Sequence, residues 1–254
     1  RDLVRSRGLG DVYKRQAVID GTLCTQLRTA AVGCVAAKYL APKKVETVGF
    51  IGAGEEARMH FTLLKHLFPS IRTCKVASRH SATEDRFIAE FDKIIPDVHF
   101  IACRGDNSQA VADTDIIVTA ISGQAPVLKA RDVRAGMLYI HVGGWEDEYG
   151  VALKADKIVC DDWNASKHRT QTICRMYKEG LLKDKDIYAD LAEIIAGQKK
   201  GRESDEEFIY FNSVGLSYID LNFAHEIYRE ASLLGLGRDI VLAESDRVDY
   251  RCFI

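Results

Sequence analysis

The chain has 254 residues, of which 47% are hydrophobic and 28% are charged. This composition is typical of a soluble globular protein with one large domain or two modest ones. The formal net charge of −2 gives no electrostatic reason to expect nucleic acid or an anionic membrane surface as a partner. No apolar run of the sequence approaches the roughly 20 residues that cross a bilayer, so no membrane partner is predicted either.

The seven cysteines are scattered along the chain, without a C-x-x-C pair or a zinc-type spacing. An odd and unpatterned set indicates reduced intracellular thiols that pack as small hydrophobic side chains. The sequence therefore predicts a cytoplasmic protein without a metal site.

Residues 1–16 differ from the rest of the chain. They are basic, lack hydrophobic periodicity and begin without an initiator Met. They have no apolar core of a secretory signal, and they resemble the translated adapter sequence that recurs at the start of metagenomic reading frames. We therefore expect a non-native segment and a chain whose upstream part is missing. A natural basic tail is the alternative.

Strand and helix patterns alternate after an opening helix. That helix is predicted over residues 21–41, where apolar residues recur at helical spacing before Pro42. Strands are predicted at 45–51, 73–78, 98–103, 115–119, 137–142 and 157–161, and helices at 55–68, 83–95 and 107–112. The alternation predicts βαβ units and a parallel sheet covered on both faces. The sheet pattern is expected to stop near Asp162, followed by mainly helical segments with one strand-like stretch at 208–215 and a helix at 217–234.

The turn after the first predicted strand reads 52-GAGEEA-57. Because it follows a strand and opens a helix, it is typical of a dinucleotide-binding turn, with a plain strand–helix connection as the alternative. Gly52 permits the tight turn, Gly54 lets the backbone approach a pyrophosphate, and Ala57 allows close packing of helix and strand. The helix N-terminus at Glu55 offers free N–H groups to the phosphate. Cofactor binding is therefore predicted for Gly52, Ala53, Gly54, Glu55 and Glu56.

The end of the second predicted strand bears on the choice between NAD and NADP. An NAD site usually has Asp or Glu about 20 residues after the glycine turn, but this chain reads 76-VASRH-80 there. Ser78 and Arg79 suit a 2′-phosphate, with Arg79 as its charge-assisted partner. A solvent-exposed Arg79 without a ligand is the alternative. NADP(H) is the predicted preference, and NAD(H) is the second choice.

Several separated stretches between residue 17 and about residue 244 resemble the ornithine cyclodeaminase/mu-crystallin family. They are 27-LRTAAVGCVAAKYLA-41, the GAGEEAR turn with Glu56 where the family usually has Gln, 113-DTDIIVTAISGQAPVL-128, 133-VRAGMLYIHVGG-144, 201-GR-202 and 211-FNSVGLSYIDL-221. The resemblance implies an α/β fold, in which a Rossmann-type doubly wound parallel sheet is inserted in a substrate/dimerisation domain built from both chain ends.

This resemblance also implies a division of the chain. After residues 1–16, residues 17–42 are expected as a helix of the substrate/dimerisation domain and residues 43–165 as the NAD(P)-binding domain. Residues 166–254 are expected as a C-terminal helical segment that returns to the substrate/dimerisation domain. Part of that domain, and with it part of the substrate pocket, is then expected in the missing upstream piece.

Individual site residues follow from the resemblance as well. It implies that Arg28 grips the α-carboxylate of the substrate, a bidentate contact that suits guanidinium. It implies cofactor contacts for Thr119, Ala120, Ile121, Val142, Gly143, Ser213 and Gly215. The family's Asp that exchanges the amine proton is replaced here by Trp145. Asp147, with Glu146 as second choice, is then the predicted acid–base group, and a solvated acidic loop is the alternative.

The activity that the resemblance implies is hydride exchange between nicotinamide C4 and Cα of a small amino or imino acid, in a homodimer. An amino-acid dehydrogenase or imine reductase is the first prediction. Ornithine cyclodeaminase, which forms proline and ammonia, is the second. A non-catalytic NADP-binding protein is the third, because Trp145 stands at the Asp position, and a Rossmann fold used only as a scaffold is the fourth. The sequence does not identify the substrate or the direction of the reaction.

Overall fold

Strands and helices alternate through residues 17–238, the part of the chain that the computed structural model describes. The strands in this part are β1 (Thr47–Ile51), β2 (Thr73–Ala77), β3 (His99–Ala102), β4 (Ile116–Thr119), β5 (Leu138–His141), β6 (Lys157–Cys160), β7 (Ala189–Asp190) and β8 (Ile209–Asn212). The helices are α1 (Gly21–Leu40), α2 (Glu55–Leu67), α3 (Ser81–Phe91), α4 (Asn107–Val111), α5 (Tyr149–Lys154), α6 (Trp163–Ser166), α7 (Thr172–Lys178), α8 (Leu191–Ile195) and α9 (Ser217–Leu233). The predicted elements are confirmed with small shifts of their ends. The expectation for residues 1–16 lies outside the described residues.

All eight strands form one parallel sheet in the order β3-β2-β1-β4-β5-β8-β6-β7. The chain builds outward from β1 to β3 and then crosses back to place β4 on the other side of β1. Sheets of this kind bind ligands at the carboxyl ends of the strands, beside the point where the direction of winding reverses. That point lies between β1 and β4.

Helices cover both faces of the sheet, which confirms the predicted doubly wound α/β fold. Phe50 and Ile140 pack with α1, α2 and α3 in one apolar cluster. Their neighbours Ile51 and Tyr139 point to the opposite face and pack with α4, α5 and α7. At Gly49 an added Cβ would lie 2.2 Å from the Ala110 carbonyl oxygen, so α4 rests directly on the backbone of β1.

The prediction that the sheet ends near Asp162 is wrong. Strand β8 lies in the middle of the sheet, between β5 and β6, so that Asn212 pairs with both His141 and Cys160. The run 208-FIYF-211 is uniformly apolar, as expected of a strand that is buried on both faces. The expected boundary at residue 165 therefore does not coincide with the end of the sheet.

Helix α1 packs beside α2 through a glycine. A Cβ on Gly33 would approach His60 Nε2 to 2.8 Å. The far end of α1 is held by Arg202, which donates from Nε to the Leu40 carbonyl at 2.7 Å and from a terminal nitrogen to the Met137 carbonyl at 3.0 Å. The 201-GR-202 stretch thus joins α1 to the sheet. None of the helices within residues 17–238 is both long and apolar enough to span a membrane.

Candidate functional site

A cavity of about 260 Å³ lies at the carboxyl ends of β4, β5 and β8, under α1 and the start of α2. Its walls are formed by Arg28, Thr29, Glu56, Ala120, Ile121, Ser122, Val142, Gly143, Ser213, Val214 and Gly215. Its position at the carboxyl edge of the sheet is the one at which doubly wound folds bind ligands. Ser122 belongs to the 119–122 stretch for which the resemblance implies cofactor contact, whereas Thr29 and Val214 were not singled out from the sequence, although each is a direct neighbour of a predicted residue.

The glycine turn lies beside this cavity, and glycine stands at its two positions for different reasons. Gly52 has a φ of +107°, and a Cβ there would lie 2.3 Å from the Ala120 carbonyl oxygen. At Gly54 an added Cβ would meet no atom within 4 Å. Gly52 is therefore required by the fold, whereas Gly54 borders open space. Helix α2 begins there without a side-chain cap, so its first N–H groups are available to an anion.

The end of β2 lies next to the glycine turn, because Gly52 N donates to the Ala77 carbonyl at 2.8 Å. Ser78 follows directly, and its N–H donates to Glu84 Oε1 at 2.7 Å. The fully buried Glu84 also accepts from the N–H of Arg104 at 2.7 Å and so fixes the loops that follow β2 and β3. Arg79 is exposed at this edge. The anchoring role of Glu84 was not predicted from the sequence.

Arg28 enters the cavity from α1. Its Nε donates to Asp220 Oδ1 on α9 at 2.5 Å, which orients the guanidinium. A Cβ on Gly215 would approach Arg28 Nη1 to 2.8 Å, and Gly215 has a φ of +83°. The turn after β8 thus leaves room for the terminal nitrogens of Arg28 at the cavity wall.

Glu56 brings a carboxyl group to the same cavity from the first turn of α2. Its Oε2 is buried and has no hydrogen-bond partner among residues 17–238. Burial raises the pKa of Glu56 to about 7, although the nearby positive charge of Arg28 acts in the opposite direction. His60, one turn further on, is fully buried, and burial lowers its pKa to about 4. Its Nδ1 donates to the Glu56 carbonyl oxygen at 2.8 Å, so a neutral histidine lies behind Glu56.

Glu146 is fully buried and does not line the cavity. Its carboxylate accepts from the N–H of Ile121 at 2.7 Å, from the N–H of Gly143 at 2.8 Å and from Thr119 Oγ1 at 2.7 Å. Ile121 and Gly143 belong to two different walls of the cavity. Glu146 therefore joins these walls from below, and its predicted role as a substrate acid–base group is not supported by this placement. Thr119 is likewise buried beneath the cavity.

Asp147 is also fully buried and away from the cavity wall. It accepts hydrogen bonds from Thr172 Oγ1 at 2.6 Å, from the Tyr210 hydroxyl at 3.1 Å and from the Tyr139 hydroxyl at 3.3 Å. Burial raises the pKa of Asp147 to about 6, opposed by the neighbouring His141 and by the hydrogen bonds from Thr172 and Tyr210. The geometry gives Asp147 a place in an internal polar network, not contact with a substrate, and the alternative of a solvated acidic loop is wrong.

Trp145 and Asp161 shape the loops around the cavity. The Trp145 N–H donates to Gln124 Oε1 at 3.1 Å, and the guanidinium of Arg175 lies 4.6 Å from its ring centre. Asp161 accepts from the N–H groups of Val214 at 2.7 Å and Gly215 at 3.0 Å. Asp161 was not predicted from the sequence, although a carboxylate directly after a buried strand is a usable signal. No group of three or more His, Cys, Asp or Glu within residues 17–238 is arranged to hold a metal ion.

A doubly wound parallel sheet with a glycine turn after β1 and a cavity at its carboxyl edge defines the class of Rossmann-type dinucleotide-binding proteins. Within that class, residues 14–233 match the ornithine cyclodeaminase/mu-crystallin family. The chain belongs to this family.

Relatives of known activity cover most of the chain. Alanine dehydrogenase of Archaeoglobus fulgidus is 33% identical over 88% of this chain and 69% of that protein. The structure of Thermococcus litoralis Δ1-pyrroline-2-carboxylate reductase in complex with NADH and L-proline has a TM-score of 0.80 and 30% identity, covering 87% of this chain and 68% of that one. An archaeal alanine dehydrogenase dimer with bound NAD has a TM-score of 0.80 and 30% identity, covering 88% and 69%. These relatives are oxidoreductases of amino or imino acids, and both structures hold NAD(H).

Proposed function

We propose that this chain is part of an NAD(P)-dependent oxidoreductase that exchanges a hydride with Cα of a small amino or imino acid. The observation that carries the proposal is the cavity itself. Its walls include Arg28, whose guanidinium is a partner for an α-carboxylate, together with strand ends and the start of α2 beside the glycine turn. The activities of the relatives point in the same direction.

The residues around the cavity fit a dinucleotide and an amino acid together. The nicotinamide cofactor, when bound, supplies the acceptor or donor of the hydride. The open space at Gly54 and the uncapped start of α2 suit a pyrophosphate, and the walls at 120–122 and 142–143 suit the nicotinamide end. Arg28 holds the carboxylate through its terminal nitrogens, a charge-assisted contact of about 1.5–3 kcal/mol. Asp220 fixes the Arg28 side chain so that this contact needs little reordering.

The preference for NADP(H) remains part of this proposal. Ser78 and the exposed Arg79 stand at the end of β2, beside the glycine turn, and the stretch 76–80 contains no carboxylate to hold ribose hydroxyls. The NAD(H) in the two related structures supports the opposite preference, and a titration with both dinucleotides distinguishes the two.

That measurement is a fluorescence titration of the protein with NADPH and with NADH. Arg79→Ala removes one charge-assisted contact, so NADPH binding should weaken about 10- to 100-fold while NADH binding stays within about twofold. Arg72→Ala, which removes an exposed arginine at the other end of the same strand, is the matched control and should change neither constant. Equal effects of Arg79→Ala on both dinucleotides would contradict the NADP preference. If the wild type bound neither dinucleotide, the proposed function itself would be refuted.

A second candidate is a dinucleotide-binding protein without catalytic activity. The observation that favours it is the burial of Glu146 and Asp147, which removes the predicted acid–base groups from the cavity. It predicts dinucleotide binding without turnover of L-alanine, L-proline or Δ1-pyrroline-2-carboxylate. L-ornithine belongs in the same panel, because release of ammonia and formation of proline would identify a cyclodeaminase. Reduction or oxidation of any panel member would exclude the non-catalytic candidate.

We also propose a cytoplasmic homodimer. The dimer of the archaeal alanine dehydrogenase supports the oligomeric state, and the unpaired cysteines of the described residues support a reducing compartment. Sedimentation equilibrium of the purified protein tests the first part, since a monomer at micromolar concentration would contradict it.

A further inference from the structure

The cavity holds two opposite charges from two different helices. Arg28 comes from α1 and Glu56 from α2, and both line the cavity wall. The positive charge of Arg28 lowers the pKa of Glu56, as expected of opposite charges that border one cavity. A cavity with one cation and one carboxyl group is complementary to a zwitterion, whose carboxylate faces the arginine and whose ammonium faces the glutamate.

We propose that Glu56 is the acid–base residue of this site and exchanges a proton with the nitrogen of the amino or imino acid. In the oxidative direction, an ammonium N–H bond breaks and an O–H bond forms on the Glu56 carboxylate, so that the amine gains the lone pair that imine formation needs. In the reductive direction, protonated Glu56 returns the proton to the imine nitrogen. The step moves only a proton and involves no change of oxidation state. The inference rests on the proposed function.

The surroundings of Glu56 keep its proton transferable. Its Oε2 is buried without a hydrogen-bond partner among the described residues. His60 Nδ1 lies 4.0 Å from this oxygen but donates to the Glu56 carbonyl oxygen instead. Because burial raises the pKa of Glu56 to about 7, both forms are populated near neutral pH, as efficient proton transfer requires.

The other charged or titratable groups near Glu56 are either neutral or paired with other partners. Two of them are on α2 itself: His60 is neutral, with its pKa lowered to about 4, and Glu55 is exposed and pairs with Arg58 at 3.4 Å. The carboxylates behind the other walls accept hydrogen bonds from the main chain or from Arg28, and they are Glu146, Asp161 and Asp220. Arg28 is thus the one charged group that shares the cavity wall with Glu56 within residues 17–238.

Glu56 also supplies the carboxyl group at the cavity wall that the loop after β5 does not supply. Glu146 uses both carboxylate oxygens in hydrogen bonds to Thr119 and to two main-chain N–H groups, and Asp147 is held by three hydroxyl groups. Neither carboxylate lines the cavity. Of the carboxyl groups in the described part of the chain, Glu56 alone does.

The test measures proton release when an amino acid binds. L-proline and L-alanine are titrated calorimetrically into the protein saturated with NADH, a combination without an oxidant, in two buffers that differ in ionisation enthalpy. Both amino acids carry an ammonium group at neutral pH, so they should bind the form with ionised Glu56. With a pKa of about 7, affinity should rise about tenfold from about pH 6 to about pH 8, and binding at about pH 6 should release about 0.9 proton per ligand.

Glu56→Gln should abolish both the proton release and the rise in affinity. Glu46→Gln, the matched control, removes the same charge from an exposed side chain that pairs with Lys44 and lies outside the cavity, and should keep both. For the amino or imino acid that turns over, Glu56→Gln should also remove the limb near pH 7 from the pH profile of kcat/KM, and Glu56→Asp should restore it at a lower rate.

The possible outcomes separate the two proposals. If Glu56→Gln kept the wild-type pH dependence and proton release, the role of Glu56 would be overturned while the amino-acid site would stand. A second outcome is that the wild type binds NADH but binds neither amino acid at either pH, and binds no other member of the activity panel. The proposed amino-acid site would then fail, and the role of Glu56 with it.

Discussion

The substitution Gly54→Ala separates the needs of the fold from the needs of a ligand. Gly54 has φ −81° and ψ −169°, extended values that any residue adopts, and an added Cβ meets no atom within 4 Å. Replacing glycine by alanine at a compatible site stabilises by about 0.4–1 kcal/mol. Because alanine is a poorer N-cap than glycine by a similar amount, the two effects offset each other. The free energy of unfolding should therefore stay within about 1 kcal/mol of the wild type.

Binding of a dinucleotide should respond differently to the same methyl group. The Cβ would occupy the space through which a pyrophosphate reaches the first N–H groups of α2. Each charge-assisted hydrogen bond lost costs about 1.5–3 kcal/mol, so NADH affinity should fall about 10- to 100-fold. The assay is urea unfolding followed by fluorescence titration with NADH on the same preparation. A folded Gly54→Ala variant that binds NADH within about twofold of the wild type would refute the assignment of this turn.

Three further substitutions test the support beneath the site. Gly52→Ala should destabilise by about 2–5 kcal/mol in urea, because it combines a left-handed φ with a Cβ contact of 2.3 Å, and an unchanged midpoint would contradict this account. Glu146→Gln should lower the free energy of unfolding by about 2 kcal/mol and weaken NADH binding, because the amide nitrogen of Gln replaces an oxygen that accepts from a main-chain N–H. A variant with wild-type stability and affinity would show that Glu146 does not hold the two walls together. The wild type should lose stability as the pH falls from 6.5 to 4, because the folded protein keeps His60 neutral while the unfolded chain takes up a proton. His60→Gln lacks this loss, so the difference in free energy of unfolding between wild type and variant should shrink by about 3 kcal/mol over that range. A difference that stayed constant with pH would contradict the low pKa of His60.

The local elements and the glycine turn were accessible from the sequence, because their signals are local. A short apolar run, a glycine pair and a helix start occur together at 48–58, and the structure keeps them together. The position of β8 in the strand order could not be predicted from the sequence. Its apolar run indicated a strand, but nothing in residues 208–211 indicates that the chain returns to pair between β5 and β6, since strand order is decided by packing of distant segments.

The candidate site also has parts that the sequence predicts and parts that depend on the packing of distant segments. Arg28 lines the cavity, and its position on α1 was expected from the resemblance, while its contact with a substrate carboxylate stays a prediction. Glu146 and Asp147 were expected to contact the substrate because they follow a strand, yet their loop turns both carboxylates inward to meet main-chain N–H groups and hydroxyls that the sequence does not reveal as neighbours. Glu56 was assigned to the cofactor from its position in the turn alone. That it lines the same cavity as Arg28 depends on how α1 packs against α2 at Gly33.

The central position of β8 has a consequence for the order in which the protein is built. Until residues 209–212 have left the ribosome, β5 and β6 each have one edge without a partner, and β4 and β5 form the end of an incomplete sheet. Unpaired edges of apolar parallel strands invite association with other chains. Pairing of Leu138 with Ile209 must also wait for closure of a long loop, which slows folding. The nascent chain is therefore most exposed to aggregation between the synthesis of β6 and that of β8, when a chaperone has the most to protect.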